Sequence, residues 1–264
     1  MEVTLRTVAV VLAGGTGVRI GGSVPKQLLA VAGKPVIEHA IDVFEAAPEV
    51  DEILVVMAQG FVGAAEEIVR RGGYRKVSAV LEGGTTRTGS THRALQTLVR
   101  RYDGEECNVL LHDAARPFLA GDIVGRCVAA LRTNEAVAVA IPSSDTILVV
   151  DEPDGGGDVV TAIPERHRLR RAQTPQGFRL SAIATAYDRA MADPAYVATD
   201  DCGVVLRYLP DMPIRVVTGS EHNMKITHPM DLAIADMLAE LVGLTELPGG
   251  ARMPQRADDG GNSS

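Results

Sequence analysis

Apolar residues along this chain follow two alternating rhythms. Unbroken aliphatic runs, with Val8-Ala9-Val10-Val11-Leu12 the clearest, predict buried strands at 7–12, 52–57, 76–81, 107–111 and 136–141. Between them, apolar positions at helical spacing predict helices over 36–47, 60–71, 86–101 and 121–133. Strict alternation of this kind predicts an α/β fold, a mostly parallel, Rossmann-like sheet with helices on both faces. Ligands in such sheets lie beyond the carboxyl ends of the strands. Three loops therefore draw attention, at 13–26, 82–90 and 112–117.

Residues 143–175 break the rhythm. Ile147-Leu148-Val149-Val150 and Val159-Val160-Thr161-Ala162-Ile163 flank a turn rich in Asp and Gly, which reads as a long protruding β-hairpin. A hairpin with no core of its own packs on something else, often a second subunit. Beyond it the pattern predicts helices at 180–191 and 200–207, a strand at 214–217 and a last helix at 228–242. Residues 1–246 thus read as one domain, with 143–175 as an arm and 247–264 as a disordered tail.

Composition narrows the classes. A net charge of −8 over 264 residues argues against general nucleic-acid binding, so any cationic cluster is local. No apolar run reaches the roughly 18–20 residues of a membrane span, and the N-terminus lacks the layout of a secretory signal. A cytoplasmic protein is expected. Cys107, Cys127 and Cys202 are too far apart for a metal or redox motif.

The first strand runs into Leu12-Ala13-Gly14-Gly15-Thr16-Gly17-Val18-Arg19, followed by Pro25-Lys26-Gln27. Backbone lacking side chains wraps closely around a phosphate or base, and Arg19 and Lys26 add two positive charges beside it. A dinucleotide fingerprint fails because Ile20 stands where the third glycine belongs, and no P-loop motif follows the strand. The pattern resembles the opening signature of nucleotidylyltransferases. A second glycine-rich loop, Gly83-Gly84-Thr85-Thr86-Arg87-Thr88-Gly89-Ser90, opens a helix; its glycines admit a flat base, though capping alone accounts for Thr85, Thr86 and Ser90.

His112-Asp113-Ala114-Ala115-Arg116-Pro117 ends the fourth strand. Asp113 is placed to hold Mg²⁺ through its oxygens, to cap the next turn with Arg116 as ion-pair partner, or both. His112 suits packing better than catalysis. The run Glu165-Arg166-His167-Arg168-Leu169-Arg170-Arg171 is the densest basic stretch in an acidic chain, so one of its arginines is a candidate phosphate ligand. Lys225, in Asn223-Met224-Lys225-Ile226-Thr227, either returns to the ligand edge or is a surface lysine. No triad order, HExxH or CxxC stands out, which points to activation by charge and metal without a covalent enzyme nucleophile.

Together LAGGTGVR, PKQ, EGGTTR, HDAARPF, SDTI, ER, QTPQGF, TDD and NMKIT, in this order over about residues 7–240, resemble the polyol-phosphate cytidylyltransferases that act on 2-C-methyl-D-erythritol 4-phosphate or D-ribitol 5-phosphate. The resemblance implies a nucleotide-diphospho-sugar transferase type of fold and CMP transfer from CTP to a polyol phosphate, dependent on Mg²⁺ and releasing pyrophosphate. It implies Arg19, Lys26, Arg166 and Lys225 as catalytic. Ala13, Gly14, Gly15, Gly17, Gly83, Arg87 and Ser90 would contact the nucleotide. Asp113, Arg116 and Thr146 would face the acceptor, with Asp113 also on the metal. It further implies a homodimer whose arms exchange, so that Arg166 serves the neighbour. The first loop is closer to the ribitol type, whereas HDAARP and TDD suit the methylerythritol pattern, and the two acceptors stand close to even. The alternative reading is a uridylyl or guanylyl transfer to a sugar 1-phosphate.

Overall fold

The computed structural model describes residues 5–15, 24–151, 157–196 and 198–243. Gly17 and Arg19 of the first loop, and the tail 247–264, lie outside the described residues. In chain order the elements are β1 (Thr7–Ala13), a 3-10 turn at Lys26–Leu28, β2 (Ala30–Val31), β3 (Lys34–Pro35), α1 (Val36–Ala46), β4 (Glu52–Met57) and α2 (Val62–Gly72). There follow β5 (Val77–Glu82), α3 (Arg87–Tyr102), β6 (Asn108–Asp113), α4 (Gly121–Leu131), β7 (Ala136–Pro142), β8 (Val149–Asp151) and β9 (Val159–Ala162). The chain continues through a 3-10 turn at Arg166–Arg168, β10 (Arg170–Arg179), α5 (Leu180–Met191), α6 (Asp201–Tyr208), β11 (Ile214–Thr218) and α7 (Pro229–Leu241).

Seven strands form one sheet in the order β11-β7-β10-β6-β1-β4-β5. All neighbours are parallel except β10, which runs antiparallel between β6 and β7. The continuous apolar runs are explained by two covered faces. Val8, Val10 and Leu12 meet α3, α5 and α6 through Leu95, Leu98, Ile183, Tyr187 and Val205. Ala9, Val11 and Ala13 point the other way, against Ile41 and Phe44 of α1, Ile68 of α2 and Cys127 of α4. The α/β architecture read from the sequence is the one observed.

Two features differ from the expectation. Strand β10 was hidden because Gln173-Thr174-Pro175-Gln176-Gly177 has the composition of a loop; the register shifts between Ala172 and Gln176, a bulge that accommodates Pro175, which has no N–H to donate. The arm is consequently shorter than 143–175, since residues from Arg170 onward belong to the central sheet. Its strands β8 and β9 pair only with each other, and Leu148, Val149, Val150, Val159 and Val160 are all exposed.

A small third core sits at the ligand edge. Val31, Val36, Phe118 and Ile226 pack with Ala235 and Ala239 of α7. The turn between β2 and β3 uses positive φ at Ala32 (51°) and Gly33 (75°), and the Ala32 N–H donates to Asp236 Oδ1 at 2.8 Å. All three cysteines are buried and free; burial pushes the Cys107 and Cys127 thiols up to about 12, which removes thiolate reactivity. Among the described residues no helix is long and apolar enough to cross a membrane.

Candidate active site

Register brings the three informative loops to one level. Leu12 lies opposite Asp113, Ala13 opposite Met57, and Met57 opposite Glu82, so the chain leaves β1, β5 and β6 at neighbouring points of the carboxyl edge. Ala13 is fully buried, and its carbonyl accepts from Ala58 N at 3.2 Å. The glycines then allow contact between loops. A Cβ on Gly14 would stand 2.6 Å from Ser90 Oγ, and one on Gly83 would stand 2.8 Å from the same oxygen and 3.1 Å from the Met57 carbonyl. Gly15 borders Gln27, with its would-be Cβ 3.4 Å from the Gln27 amide nitrogen.

Ser90 closes the second loop on itself. Its Oγ accepts from Gly84 N at 3.0 Å and donates to the Thr86 carbonyl at 2.9 Å, while Thr86 caps α3 by accepting from Gly89 N at 3.0 Å. Capping and loop-shaping are therefore both realised, and the backbone around Gly83 is fixed before any ligand arrives.

Arg87 lies between two carboxylates. It donates to Asp201 through both terminal nitrogens (3.0 and 2.7 Å) and comes within 3.7 Å of Asp113 Oδ1. Burial alone would weaken the Arg87 charge, but the attraction of Asp201 outweighs it and raises the pKa above the ordinary arginine value. Asp201 is itself wholly buried, accepts from the Tyr187 hydroxyl, and donates its backbone N–H to Gln176 Oε1 at 3.0 Å.

Asp113 is the centre of the group. Lys225 Nζ donates to its Oδ2 at 2.7 Å, and its backbone N–H donates to Thr174 Oγ1 at 3.1 Å. Burial favours the neutral acid here. Lys225, Arg87 and then Arg116 overcome that and hold the carboxyl ionised, with a pKa of about 2. Lys225 thus stands beside Asp113 at the carboxyl edge while its side chain stays exposed.

His112 braces this arrangement from beneath. It is fully buried, with Nδ1 3.0 Å from Thr174 Oγ1 and Nε2 3.2 Å from the Arg116 carbonyl. A carbonyl only accepts, so these partners assign the proton to Nε2 and leave Nδ1 to accept from Thr174. Burial lowers the His112 pKa to about 4, so the ring is neutral at pH 7 and positions rather than transfers protons. Arg116 donates to the carbonyls of Asn223 (2.7 Å) and Ala172 (3.2 Å), and burial draws its pKa below the ordinary value. Its Nε is buried and finds no hydrogen-bond partner among the described residues. Lys26 is buried beside the same segment, donating to the Ile226 carbonyl at 2.5 Å, while Ile226 N donates to Ala115 O at 2.8 Å.

The structure thus brings together Gly14, Gly83, Ser90, Arg87, Asp113, Arg116 and Lys225, with Lys26 anchored alongside. Among the described residues, neither Arg166 nor Thr146 makes a hydrogen bond or ion pair with any of these. Arg166 is exposed at the root of the arm and donates to the Ser144 carbonyl at 3.2 Å; Thr146 is also exposed. Two contributors carry no assigned role in the sequence reading, Asp201 and Thr174. Their motifs, TDD and QTPQGF, were visible, but their partners lie 114 residues (Arg87) and 61 residues (Asp113) away in the chain.

The donor chemistry suits a hard cation that brings its own ligands. Among the described residues no cluster of three or more His, Cys, Asp or Glu exists, so a dedicated protein cage is absent from them. One ionised carboxylate at the strand end matches the habit of Mg²⁺, which takes one or two carboxylates and fills its shell with phosphate oxygens and water. The surrounding cations can hold several phosphate charges and stabilise charge as it moves between them.

Comparisons with known proteins agree with this chemistry. A family profile described as 2-C-methyl-D-erythritol 4-phosphate cytidylyltransferase matches residues 7–240. The 2-C-methyl-D-erythritol 4-phosphate cytidylyltransferase of Thermobifida fusca is 52% identical over 233 residues, 88% of this chain and 93% of its own. A bifunctional ribulose 5-phosphate reductase/CDP-ribitol pyrophosphorylase of Haemophilus influenzae is 38% identical over 233 residues, 88% of this chain but 48% of its own. Among solved structures, the 4-diphosphocytidyl-2C-methyl-D-erythritol synthase of Anaerococcus prevotii superposes with a TM-score of 0.77 at 28% identity, covering 90% of this chain and 98% of that one.

Proposed function

Because the chain belongs to the 2-C-methyl-D-erythritol 4-phosphate cytidylyltransferase family, we propose that its acceptor is 2-C-methyl-D-erythritol 4-phosphate and its product the CDP-activated polyol. That it is a nucleotidyltransferase, and specifically a cytidylyltransferase acting on a polyol phosphate, follows from the family itself. The acceptor is the finer step. It is supported by the contrast between 52% identity to a methylerythritol enzyme across nearly its whole length and 38% to the ribitol-activating one. The even balance between acceptors read from the motifs gives way to this contrast, and the uridylyl or guanylyl alternative finds no support.

For the chemistry, the observation that carries most weight is the Arg87–Asp113–Lys225 group at the carboxyl edge, where two glycine-rich loops abut. A phosphate dianion attacking the α-phosphorus of CTP brings like charges together, and the leaving pyrophosphate carries more away. Fixed cations and exact alignment therefore do most of the work. Gly14 and Gly83 let the two loops close on Ser90 and so fix the backbone that faces the nucleotide. Lys26 and Arg19 neutralise the triphosphate at the bond that breaks. Lys225 and Arg166 hold the acceptor phosphate in line, with Thr146 and Arg116 toward its polyol. Asp113 would hold Mg²⁺, which when bound would supply positive charge to offset that of the triphosphate.

Among the described residues Arg166 and Thr146 make no hydrogen bond or ion pair with the Asp113 group, and the arm that ends near them exposes apolar strands. Both facts support a homodimer in which each arm completes the neighbour's site.

Pyrophosphate release tests the reading. With CTP, 2-C-methyl-D-erythritol 4-phosphate should exceed D-ribitol 5-phosphate by on the order of 10² in kcat/KM, the discrimination a pocket makes on small differences in carbon skeleton. Equal rates, or a preference for ribitol, would remove the acceptor assignment, and turnover with UTP in place of CTP would remove the cytidylyl one.

A further inference from the structure

Beside Lys26, a polar side chain is buried where it supports none of its surroundings. Gln27 is only 3% exposed, yet its Oε1 finds no hydrogen-bond partner among the described residues. A buried amide with an unmet acceptor destabilises the folded state, so native chains seldom keep one without a use for it. The fold supplies no such use. The turn that carries Gln27 is closed by backbone, with Leu28 N donating to the Pro25 carbonyl at 2.9 Å and Leu29 N to that of Lys26 at 3.2 Å. The next residue, Leu28, then packs against the large core that includes Ile41 and Phe44.

The nitrogen of the amide borders the first glycine loop. A Cβ on Gly15 would stand 3.4 Å from Gln27 Nε2, so any larger residue at position 15 would press on it. Its neighbours define what can meet it there. Lys26, the preceding residue, brings positive charge, and glycine backbone brings N–H groups. Such surroundings select a ligand rich in acceptor oxygens over a hydrocarbon or a base edge.

We propose that Gln27 is a further nucleotide-binding residue, donating through Nε2 to a phosphate oxygen of CTP. The inference rests on the reading that the first glycine loop and Lys26 hold the triphosphate. A neutral amide adds a directed hydrogen bond to the point charge of Lys26, which fixes the rotation of the phosphate group as well as its position.

The test pairs stability with affinity, read by thermal unfolding and by calorimetric titration of CTP with Mg²⁺ and no acceptor. Gln27→Leu nearly keeps the volume and removes the unmet polar group. It should raise Tm by about 2–4 °C while weakening CTP on the order of ten-fold, a divergence that a purely structural role cannot produce. Gln27→Glu keeps the shape but sets a carboxylate against the phosphates, and should weaken CTP on the order of 10²-fold. A ribose hydroxyl as the partner would reverse that order, since a carboxylate accepts from it better than an amide does. The inference is overturned if Gln27→Leu binds CTP as tightly as the parent, if its affinity and Tm fall together, or if Gln27→Glu binds CTP more tightly than Gln27→Leu. A parent protein that takes up no CTP would instead remove the cytidylyl reading, and the role of Gln27 with it.

Discussion

The wall of the site and the arm are built on opposite principles. Around Asp113, charged and polar groups are buried and each is held by others: Asp201 by Arg87 and Tyr187, His112 by Thr174 and Arg116, Asp113 by Lys225. In the arm, apolar side chains are exposed and, among the described residues, the side chain of the candidate ligand Arg166 hydrogen-bonds the Ser144 carbonyl alone. The first region is organised before substrate binds, at the cost of burying charge. The second keeps its apolar surface in reserve for another body. Half of the proposed phosphate clamp is thus rigid within the chain, and half depends on assembly.

Substitutions separate the two regions by size of effect. Asp201→Asn removes the nearer counter-charge of Arg87 and leaves Asp113 at 3.7 Å as its remaining carboxylate, and weakening a buried pair in this way should cost about 3 kcal/mol of folding stability, measured by urea unfolding; a loss below 1 kcal/mol would mean that the wall is less dependent on the pair than its burial indicates. Lys26→Ala should leave the fold in place and lower turnover on the order of 10²–10³-fold, the usual consequence of removing a fixed stabiliser of transition-state charge. Activity within a few-fold of the parent would exclude that role.

Acid should weaken the wall through His112. Its folded pKa of about 4 lies below the ordinary 6.5, so the unfolded chain takes up the proton first. The contribution of the neutral ring is full above pH 6.5 and is lost as the pH falls toward 4, by about 3 kcal/mol in all. Asp113, held at about 2, keeps its share until the pH falls below the ordinary carboxylate range. Unfolding titrations between pH 7 and 4 should therefore be steeper for the parent than for His112→Asn, and parallel curves would contradict the assignment. The smallest effect belongs to the arm. In dilute solution, where only monomers are present, Leu148→Ser should shift unfolding by no more than about 0.5 kcal/mol, since an exposed side chain supports little of its own fold.

Much of this was legible in the order of residues, for physical reasons. Strands covered on both faces leave unbroken aliphatic runs, so β1, β4, β6 and β7 announced themselves, and the helices between them kept their 3.6-residue period. Strand β10 did not, because Pro175, Gly177 and two glutamines carry turn chemistry and its pairing is decided by β6 and β7 far away in the chain. The same divide runs through the site. Gly14, Gly83, Asp113 and Lys225 sit in local motifs whose chemistry can be read directly. The bracing of Arg87 by Asp201 and of Asp113 by Thr174 arises only when distant segments meet, so sequence spacing held no trace of it.

Complementation between two defective chains tests the division of the site most directly. Lys225→Ala disables the half held within the chain and Arg166→Ala the half carried on the arm. If each arm completes the neighbour's site, every mixed dimer regains one intact site, and an equal mixture of the two should recover about a quarter of parental activity. A mixture no more active than the average of its two components would mean that Arg166 serves its own chain or none, and the account of a shared site would fail.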